Sequence, residues 1–354
     1  MRSIRPLYVA RLLALLLAFG VFGPVSPLQA ATARKKTTTT TRRVAAKPAY
    51  SAAASRARKA RLARARAAAR AREQARLAAV QEAMRPRFKT DANGALVPDI
   101  RAAAAIIFNP ETGQVLWEEN AQDKRSIASI TKVMTALVFL EDSPDLTREI
   151  TVERGDVYAA STTYLRTNDR ITLDEVLHLT LIASDNAAAR ALARVSHGGT
   201  ASFIERMNEK AIELGLESTT FADPSGLNPA NISSAYDLSR LISFASANDT
   251  LAPIMRTASY TARTSRRSIT IRNTNHLVRG GEVDVLGGKT GFISKAGYCL
   301  ATLLRLPQSN HQVAVVVLGA GSNNSRFWET RHLFNWLADK ASDLFAKEGD
   351  QNQD

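Results

Sequence analysis

The pattern of hydrophobic and polar positions predicts strands near both ends of the region that begins at Ala102. The apolar runs 103–108 and 114–118 flank the turn-forming sequence Asn-Pro-Glu-Thr-Gly and together predict a β-hairpin. Apolar runs joined by short turns predict three later strands, over residues 285–292, 297–306 and 312–318. Strands at both ends of one domain imply an antiparallel sheet assembled from distant segments.

Between these strands the apolar positions recur with the period of an α-helix. One such run follows Ser129, and a capping box formed by Thr172 and Glu175 predicts the start of another helix. Residues 202–214 are amphipathic, and residues 325–347 predict a closing helix with many large apolar side chains. The pattern therefore predicts an α+β architecture, in which an antiparallel sheet is flanked by helices and a cleft separates it from a helical lobe.

The formal net charge of +14 is concentrated in one segment of the chain. Residues 31–90 hold 18 Lys and Arg against Glu73 and Glu82, a net charge of +16, whereas residues 91–354 carry −5. The basic character therefore belongs to a tail, and the domain after the tail is mildly acidic.

The basic tail, residues 31–90, is a low-complexity linker rich in Ala, Arg and Thr. It offers too few large apolar side chains to bury against a core, so one interpretation is a solvated spacer that is coiled or intermittently helical. Electrostatic docking on anionic envelope polymers or lipid surfaces is the other interpretation. No nucleic-acid partner is expected, because an exported protein would rarely meet one.

Two further segments flank the catalytic domain that we predict over residues 95–347. Residues 1–30 combine three Arg, an apolar stretch over 12–22 and small residues near position 30, which predicts a secretory signal peptide. The apolar stretch is too short to span a bilayer, so we expect cleavage near position 30 and export to the periplasm. Residues 348–354 form a polar tail.

Cysteine and histidine usage argues against disulfide and metal chemistry. Cys299 is the only cysteine and lies in an apolar strand-like run, which indicates a buried structural thiol. The five histidines show no paired ligand spacing, so the sequence predicts no metal site and no cofactor.

Three short motifs point to covalent catalysis on an acyl group. Ser129 stands three residues before Lys132, which puts a hydroxyl and an amine on one face of a helix. A serine needs a neighbouring base to become a nucleophile, and a poorly solvated lysine can lose its proton and act as that base. Ser-Asp-Asn at 184–186 and Lys-Thr-Gly at 289–291 come later in the order that β-lactamases and penicillin-binding enzymes require. Each residue alone has a structural alternative, such as a helix cap or a solvated charge, so the inference depends on the combination.

With these motifs, the chain resembles the serine-type D-alanyl-D-alanine peptidases, the low-molecular-mass penicillin-binding proteins of the β-lactamase/transpeptidase fold. The segment Asp-Pro-Ser-Gly-Leu at 223–227 adds to the likeness, which runs from about Ala103 to Ala346. Arg-Asn-Thr-Asn-His-Leu-Val at 272–278 most resembles the D-alanyl-D-alanine endopeptidase branch, the penicillin-binding protein 7 group. Only 63 residues follow Gly291, so we expect neither the β-rich domain nor the membrane helix of the penicillin-binding protein 5 kind.

The resemblance implies a catalytic role for four residues. Ser129 would attack the carbonyl of a D-alanyl peptide bond and form an acyl-enzyme, while Lys132 takes its proton. Partial burial and the positive field of Lys289 would favour the neutral amine of Lys132. Ser184 would relay the proton to the leaving amine, and Asn186 would hold both Lys132 and the substrate amide.

The resemblance also implies how peptidoglycan stem peptides would bind. Lys289 and the hydroxyl of Thr290 would hold the carboxylate on the leaving side. Gly291 would let the substrate backbone approach the strand, and the backbone N–H groups of Ser129 and Phe292 would form an oxyanion hole. β-Lactams would acylate the same serine as covalent inhibitors.

Three rival functions remain open at the level of sequence. A D-alanyl-D-alanine carboxypeptidase would use the same motifs, with specificity set by cleft shape, for which residues 154–170 and 272–281 are candidates. A class A β-lactamase would need a deacylating Glu in an E-x-x-L-N segment, and residues 217–228 lack that spacing. A non-enzymatic wall-binding protein is the third alternative.

Overall fold

The computed structural model describes residues 52–307 and 311–351, with side chains described from Ala53 to Lys340 outside that gap. The predicted signal peptide, residues 1–30, lies outside the described residues, and so do residues 31–51 of the predicted linker. Of the predicted polar tail, residues 348–351 continue the last helix.

The secondary structure alternates between short strands and helices. The strands are β1 Phe88–Thr90, β2 Leu96–Pro98, β3 Ala104–Phe108, β4 Val115–Glu119, β5 Arg125–Ser126, β6 Glu149–Thr151, β7 Arg170–Thr172, β8 Ile232–Ser233, β9 Ser259–Arg263, β10 Ser268–Arg272, β11 Asp284–Ile293, β12 Gly297–Arg305 and β13 Gln312–Ala320. The helices are α1 Ala52–Met84, α2 Thr131–Glu141, α3 Arg154–Val157, α4 Leu173–Ile182, α5 Asn186–Val195, α6 Gly199–Glu213, α7 Ala235–Ser246, α8 Leu251–Met255, α9 His276–Gly280 and α10 Ser325–Gln351, with a 3₁₀ turn at Ala128–Ile130.

A five-stranded sheet, in the order β11-β12-β13-β3-β4, joins the two ends of the domain. All four neighbouring pairs are antiparallel. The central pair β13–β3 aligns Val316 with Ile106, so residues more than 200 positions apart are neighbours. The sheet and its flanking helices confirm the predicted α+β fold class, and the five predicted strands of this sheet agree with the structure to within two residues at each end.

Different helices cover the two faces of this sheet, so its central strands are buried on both sides. On one face α10 places Phe327, Leu333 and Phe334 against strand residues such as Leu300 and Val315. The opposite face contributes Ile106 and Val316 to a larger core shared with the helical lobe. This larger core includes side chains from α2, α4, α5, α6 and α7.

Helix α2 lies inside the helical lobe, and nine of its 11 residues are buried. A helix that is apolar on every side is stable only when other elements surround it. Thr172 accepts a hydrogen bond from the backbone N–H of Glu175 at the start of α4, which is one of the two hydrogen bonds of the predicted capping box. Helix α4 ends at Ile182, so its C-terminus delivers the Ser-Asp-Asn motif to the edge of the lobe.

Four small two-stranded sheets were not predicted: β1–β2, β5–β8, β6–β7 and β9–β10. Most of their strands are only two or three residues long, which is too short for alternation to be visible in the sequence. Strand β1 lies inside the predicted linker. Just before this strand, the Arg87 carbonyl oxygen lies 2.7 Å from Nε2 of His332 in α10. Arg101 Nη1 also donates to the Ala83 carbonyl at 3.2 Å, so the contacts of the domain reach back to the end of α1.

Helix α1 is continuous over 33 residues, whereas the sequence predicted a coiled or intermittently helical spacer. Nearly all of its described side chains are exposed, and the division of the chain into two units falls within it, after Ala67. A high content of alanine and arginine favours helix without tertiary contacts. No helix among the described residues is long and apolar enough to cross a membrane.

Candidate active site

The three sequence motifs meet in a cleft of about 430 Å³ between β11 and the helical lobe. The cleft is lined by Ser129, Ser161, Thr162, Ala183, Ser184, Asn186, Leu227, Thr274, Thr290, Gly291, Phe292, Ile293, Ser294 and Arg326. Lys132 and Lys289 lie beneath this lining and are 0% and 1% exposed. The structure therefore brings all eight predicted site residues to one place.

Ser129 lies in the 3₁₀ turn that leads into α2, and two glycines pack against this turn. A Cβ on Gly226 would lie 2.1 Å from the Ala128 carbonyl oxygen, and one on Gly291 would lie 2.6 Å from the Ile127 carbonyl oxygen. Ala128 itself has a φ of 49°, a conformation that is costly for a residue with a side chain. The backbone of the turn is thus held in place by close contacts from both sides.

The Lys132 amine makes three hydrogen bonds and no contact with bulk water. Its Nζ lies 2.9 Å from Ser129 Oγ and 2.6 Å from Asn186 Oδ1, and it also donates to the Ser225 carbonyl. The Asn186 and Ser225 oxygens can only accept, so they use both N–H groups of a neutral amine. The lone pair of that neutral amine is then directed at the Ser129 hydroxyl, as a general base requires.

Burial is the largest influence on the pKa of Lys132, and it lowers that pKa to about 7. The negative charges of Asp223 and Asp185 oppose this shift, while Arg190 adds to it. We expected partial burial and the field of Lys289 to provide the effect, but the amine is fully buried and Lys289 is not among the main causes. At neutral pH a substantial fraction of Lys132 is uncharged.

The Ser-Asp-Asn motif occupies the loop between α4 and α5. Ser184 has a φ of 59°, and its hydroxyl accepts a hydrogen bond from Lys289 Nζ at 2.8 Å. Asp185 caps α5 by accepting from the Ala188 N–H at 2.9 Å, and its other oxygen accepts from the Tyr164 N–H at 2.6 Å. The aspartate, to which we assigned no role from the sequence, anchors the loop that carries its two neighbours.

Asn186 is held at both ends of its amide. Its Oδ1 accepts from Lys132, and its Nδ2 donates to the Ala160 carbonyl at 2.7 Å. The protein therefore already uses the oxygen and one N–H of this amide, which leaves at most the second N–H for the substrate amide that we assigned to it. The geometry fits a group that orients Lys132.

The Lys-Thr-Gly motif lies on β11 with side chains on alternate faces. Lys289 Nζ donates to Ser184 and, at 3.0 Å, to the Thr290 carbonyl, and burial together with the charges of Lys132 and Arg326 lowers its pKa well below the usual range. The Thr290 hydroxyl donates to Thr274 Oγ1 at 2.7 Å. We assigned Gly291 to the approach of the substrate backbone, but the structure explains the glycine differently. Strand β11 and the turn before Ser129 are too close together at this position for a side chain.

Arg326, on the first turn of α10, is a cleft residue that sequence reasoning missed. It is 6% exposed, and its Nη1 donates to the carbonyls of Gly291 at 2.9 Å and Cys299 at 3.1 Å. Burial lowers its pKa to about 10, so the guanidinium remains charged at neutral pH. No motif surrounds this arginine in the sequence. Its place in the cleft depends on the packing of α10 against the sheet.

Asp223 is a partly buried carboxylate close enough to influence Lys132, but its hydrogen bonds make it a loop anchor. It accepts from the N–H groups of Ser225 at 3.0 Å, Gly226 at 3.0 Å and Asn228 at 3.1 Å. The Ser225 hydroxyl and the Asn231 amide also donate to it. Five donors occupy its two oxygens and leave it poorly suited to activate a water molecule.

Of Cys299 and the histidines, Cys299 is the one residue whose predicted environment the structure tests directly. Cys299 is fully buried in β12, and burial raises the pKa of its thiol to about 11, as expected for a structural cysteine. Among the described residues, no group of three or more His, Cys, Asp or Glu side chains is arranged to hold a metal ion.

Comparison with known proteins defines the class of protein to which this fold and cleft belong. Residues 91–322 match the family model described as D-alanyl-D-alanine carboxypeptidase. The chain belongs to this family of serine hydrolases, which confirms the resemblance proposed from the motifs.

Individual relatives are similar over most of the domain. A D-alanyl-D-alanine endopeptidase of Escherichia coli is 34% identical over 244 residues, which cover 68% of this chain and 78% of the relative. A D-alanyl-D-alanine carboxypeptidase of Bacillus subtilis is 31% identical over 234 residues, covering 64% of this chain and 59% of that protein. The crystal structure of a Streptomyces DD-transpeptidase is 31% identical, with a TM-score of 0.64, and the match covers 68% of this chain and 97% of that one.

The lowered pKa of Lys132 predicts how acylation depends on pH. Only the neutral amine can accept the Ser129 proton, and a lysine pKa lowered to about 7 makes that form dominant above neutral pH. The second-order rate constant for acylation by benzylpenicillin should therefore rise roughly tenfold per pH unit below the pKa and level off above it. Mass spectrometry of the acyl-enzyme gives the rate, and a Ser129→Ala variant should show no adduct. A rate constant that stays flat through neutral pH would contradict the assignment.

The hydrogen bonds that occupy Asp223 predict slow hydrolysis of the acyl-enzyme formed with a β-lactam. With five donors on this carboxylate and no E-x-x-L-N spacing in residues 217–228, the β-lactam acyl-enzyme lacks the deacylating carboxylate that a class A β-lactamase uses. Nitrocefin should give a burst of about one equivalent and then slow turnover. Rapid hydrolysis over many turnovers would show that the chain is a β-lactamase.

Proposed function

We propose that this protein is a penicillin-binding serine DD-peptidase that cleaves crosslinks between peptidoglycan stem peptides, a D-alanyl-D-alanine endopeptidase. The observation that carries this proposal is the Lys132 amine, which lies 2.9 Å from Ser129 Oγ and has both neutral-state N–H groups taken by other acceptors. Such an arrangement prepares one serine for attack on an acyl carbon.

In the proposed first step, Ser129 Oγ attacks the carbonyl of the D-alanine in the crosslink, and its proton passes to Lys132. The N–H groups of Ser129 and Phe292 stabilise the negative oxygen that develops. Collapse of the tetrahedral intermediate breaks the C–N bond, and Ser184 relays a proton to the leaving amine. Water then hydrolyses the ester, with the same lysine as the base.

The carboxylate beside the scissile bond would bind at the far end of the cleft. Arg326 supplies a buried positive charge there, and the hydroxyls of Thr290 and Thr274 supply polar partners. Lys289 lies below them with a lowered pKa, so an arriving carboxylate would favour its protonated form. Before the carboxylate binds, the positive charge that attracts it would thus be that of Arg326 rather than that of Lys289.

The endopeptidase assignment rests on likeness to the relatives and on residues 272–278. The E. coli relative described above is an endopeptidase, whereas the B. subtilis relative is a carboxypeptidase. Both substrates place a D-centre with a carboxylate on the leaving side, so the motifs accommodate either one. Carboxypeptidase activity is therefore the alternative.

Purified crosslinked muropeptide dimers and pentapeptide monomers distinguish the two activities. Wild-type enzyme should convert dimers to monomers, as followed by chromatography with mass detection. Ser129→Ala should lose more than about 1,000-fold of this activity, because the nucleophile is gone. Removal of the terminal D-alanine from pentapeptides alone would make the protein a carboxypeptidase. Cleavage of neither substrate by the wild-type protein, with no difference from the Ser129→Ala and Lys132→Ala variants, would favour the non-enzymatic alternative.

We further propose that the mature protein begins near Ala31 in the periplasm and that its basic tail binds anionic envelope polymers. Helix α1 carries nine Lys and Arg against Glu73 and Glu82. These cations point in all directions around the helix axis, and their side chains are almost all exposed. A flat lipid surface could contact only those on one side, whereas a flexible polymer can reach all of them.

Binding to purified sacculi tests this proposal on the exported protein. N-terminal sequencing of periplasmic protein should begin near Ala31, and cosedimentation with sacculi should weaken steeply as salt is raised. Replacing the nine basic residues of α1 by Gln should abolish cosedimentation. Salt-insensitive binding, or stronger binding to anionic phosphatidylglycerol vesicles than to sacculi, would overturn the assignment to a wall polymer.

A further inference from the structure

An exposed aromatic pair borders the cleft just beyond the Lys-Thr-Gly motif. The Phe292 side chain is 48% exposed, although it belongs to a residue that lines the cleft. Its ring stacks on that of Tyr298, with centroids 4.2 Å apart and planes inclined by 23°. The two residues face each other across β11 and β12, so the stack holds the exposed ring in a fixed orientation.

The position of this pair relates it to the leaving side of the substrate. Phe292 lies two residues after Thr290 on β11, and side chains two apart on a strand share one face. The Arg326 guanidinium lies 5.6 Å from the centre of the Tyr298 ring. The aromatic pair therefore adjoins the positive charge and the hydroxyl that the proposed function assigns to the leaving-side carboxylate.

The two candidate substrates differ in the side chain of the residue that bears this carboxylate. A terminal D-alanine has a single methyl group there, whereas the diamino acid of a crosslink has a chain of methylene groups. An exposed, fixed aromatic face gains free energy from covering such a chain and little from a methyl group.

We propose that the Phe292 side chain, supported by Tyr298, is a specificity determinant that packs against the methylene chain of the leaving residue. This inference rests on the proposed peptidase function and deepens it. The peptide bond that breaks and the proton transfers remain those of Ser129, Lys132 and Ser184. The aromatic pair favours leaving residues with long side chains, which is the property that separates a crosslink from a terminal D-alanine.

A series of synthetic peptides tests this role on the leaving side alone. The peptides share one acyl-D-alanine half and end in D-alanine, D-norvaline or D-norleucine. For the wild-type enzyme, kcat/KM should rise about tenfold from D-alanine to D-norleucine. Phe292→Ser should reduce this ratio to within about twofold of unity, and Phe292→Leu should keep part of it, because an aliphatic side chain still covers methylenes.

Two controls keep the outcome interpretable. Phe244→Ser removes a phenylalanine that is 47% exposed and outside the cleft lining, so it should retain the wild-type ratio. A purely structural role for Phe292 would lower kcat/KM for every peptide in proportion and leave the ratio unmoved, which would overturn the proposal. Failure of the wild-type enzyme to cleave crosslinked dimers would instead overturn the endopeptidase assignment, since the ratio is measured without dimers.

Discussion

The removal of one lysine amine from water is the constraint on which the cleft depends. Lys132 is fully buried, and its three partners come from different segments: the turn before α2, the start of α5 and the loop after Asp223. A buried amine without partners would be strongly destabilising, so these segments must meet at one point. The same desolvation lowers the pKa of the amine to about 7 and makes it useful as a base. Stability and reactivity at this site thus have one physical origin.

The surrounding backbone departs from ordinary preferences where it holds this arrangement. Ala128 and Ser184 both have left-handed φ values, and Gly226 and Gly291 occupy positions where a Cβ would collide with the nucleophile turn. Two aspartates compensate by binding backbone N–H groups: Asp185 holds the loop before α5, and Asp223 holds the loop that carries the Ser225 carbonyl. Departures of this kind cluster at functional sites because the surrounding contacts keep them in place.

The features that sequence predicted well were those with a long period or a compact motif. Strands β11, β12 and β13 and helices α4 and α10 have enough residues for their periodicity to be visible, and the three motifs are continuous in the chain. Arg326 could not be predicted, because its role depends on how α10 docks on the sheet. The full burial of Lys132 could not be predicted either, because the atoms that exclude water from its amine come from α5 and from the loop after Asp223. Two-residue strands such as β5 and β8 contain no period at all.

The strand order of the main sheet also governs when the cleft can be completed during synthesis. Strand β11, which carries Lys289, reaches the N-terminal hairpin β3–β4 only through β12 and β13. The central partner of β3 ends at Ala320, near the C-terminal end of the domain. A growing chain therefore cannot close the sheet until almost the whole domain has emerged. This order of assembly delays catalytic competence until the chain is nearly complete.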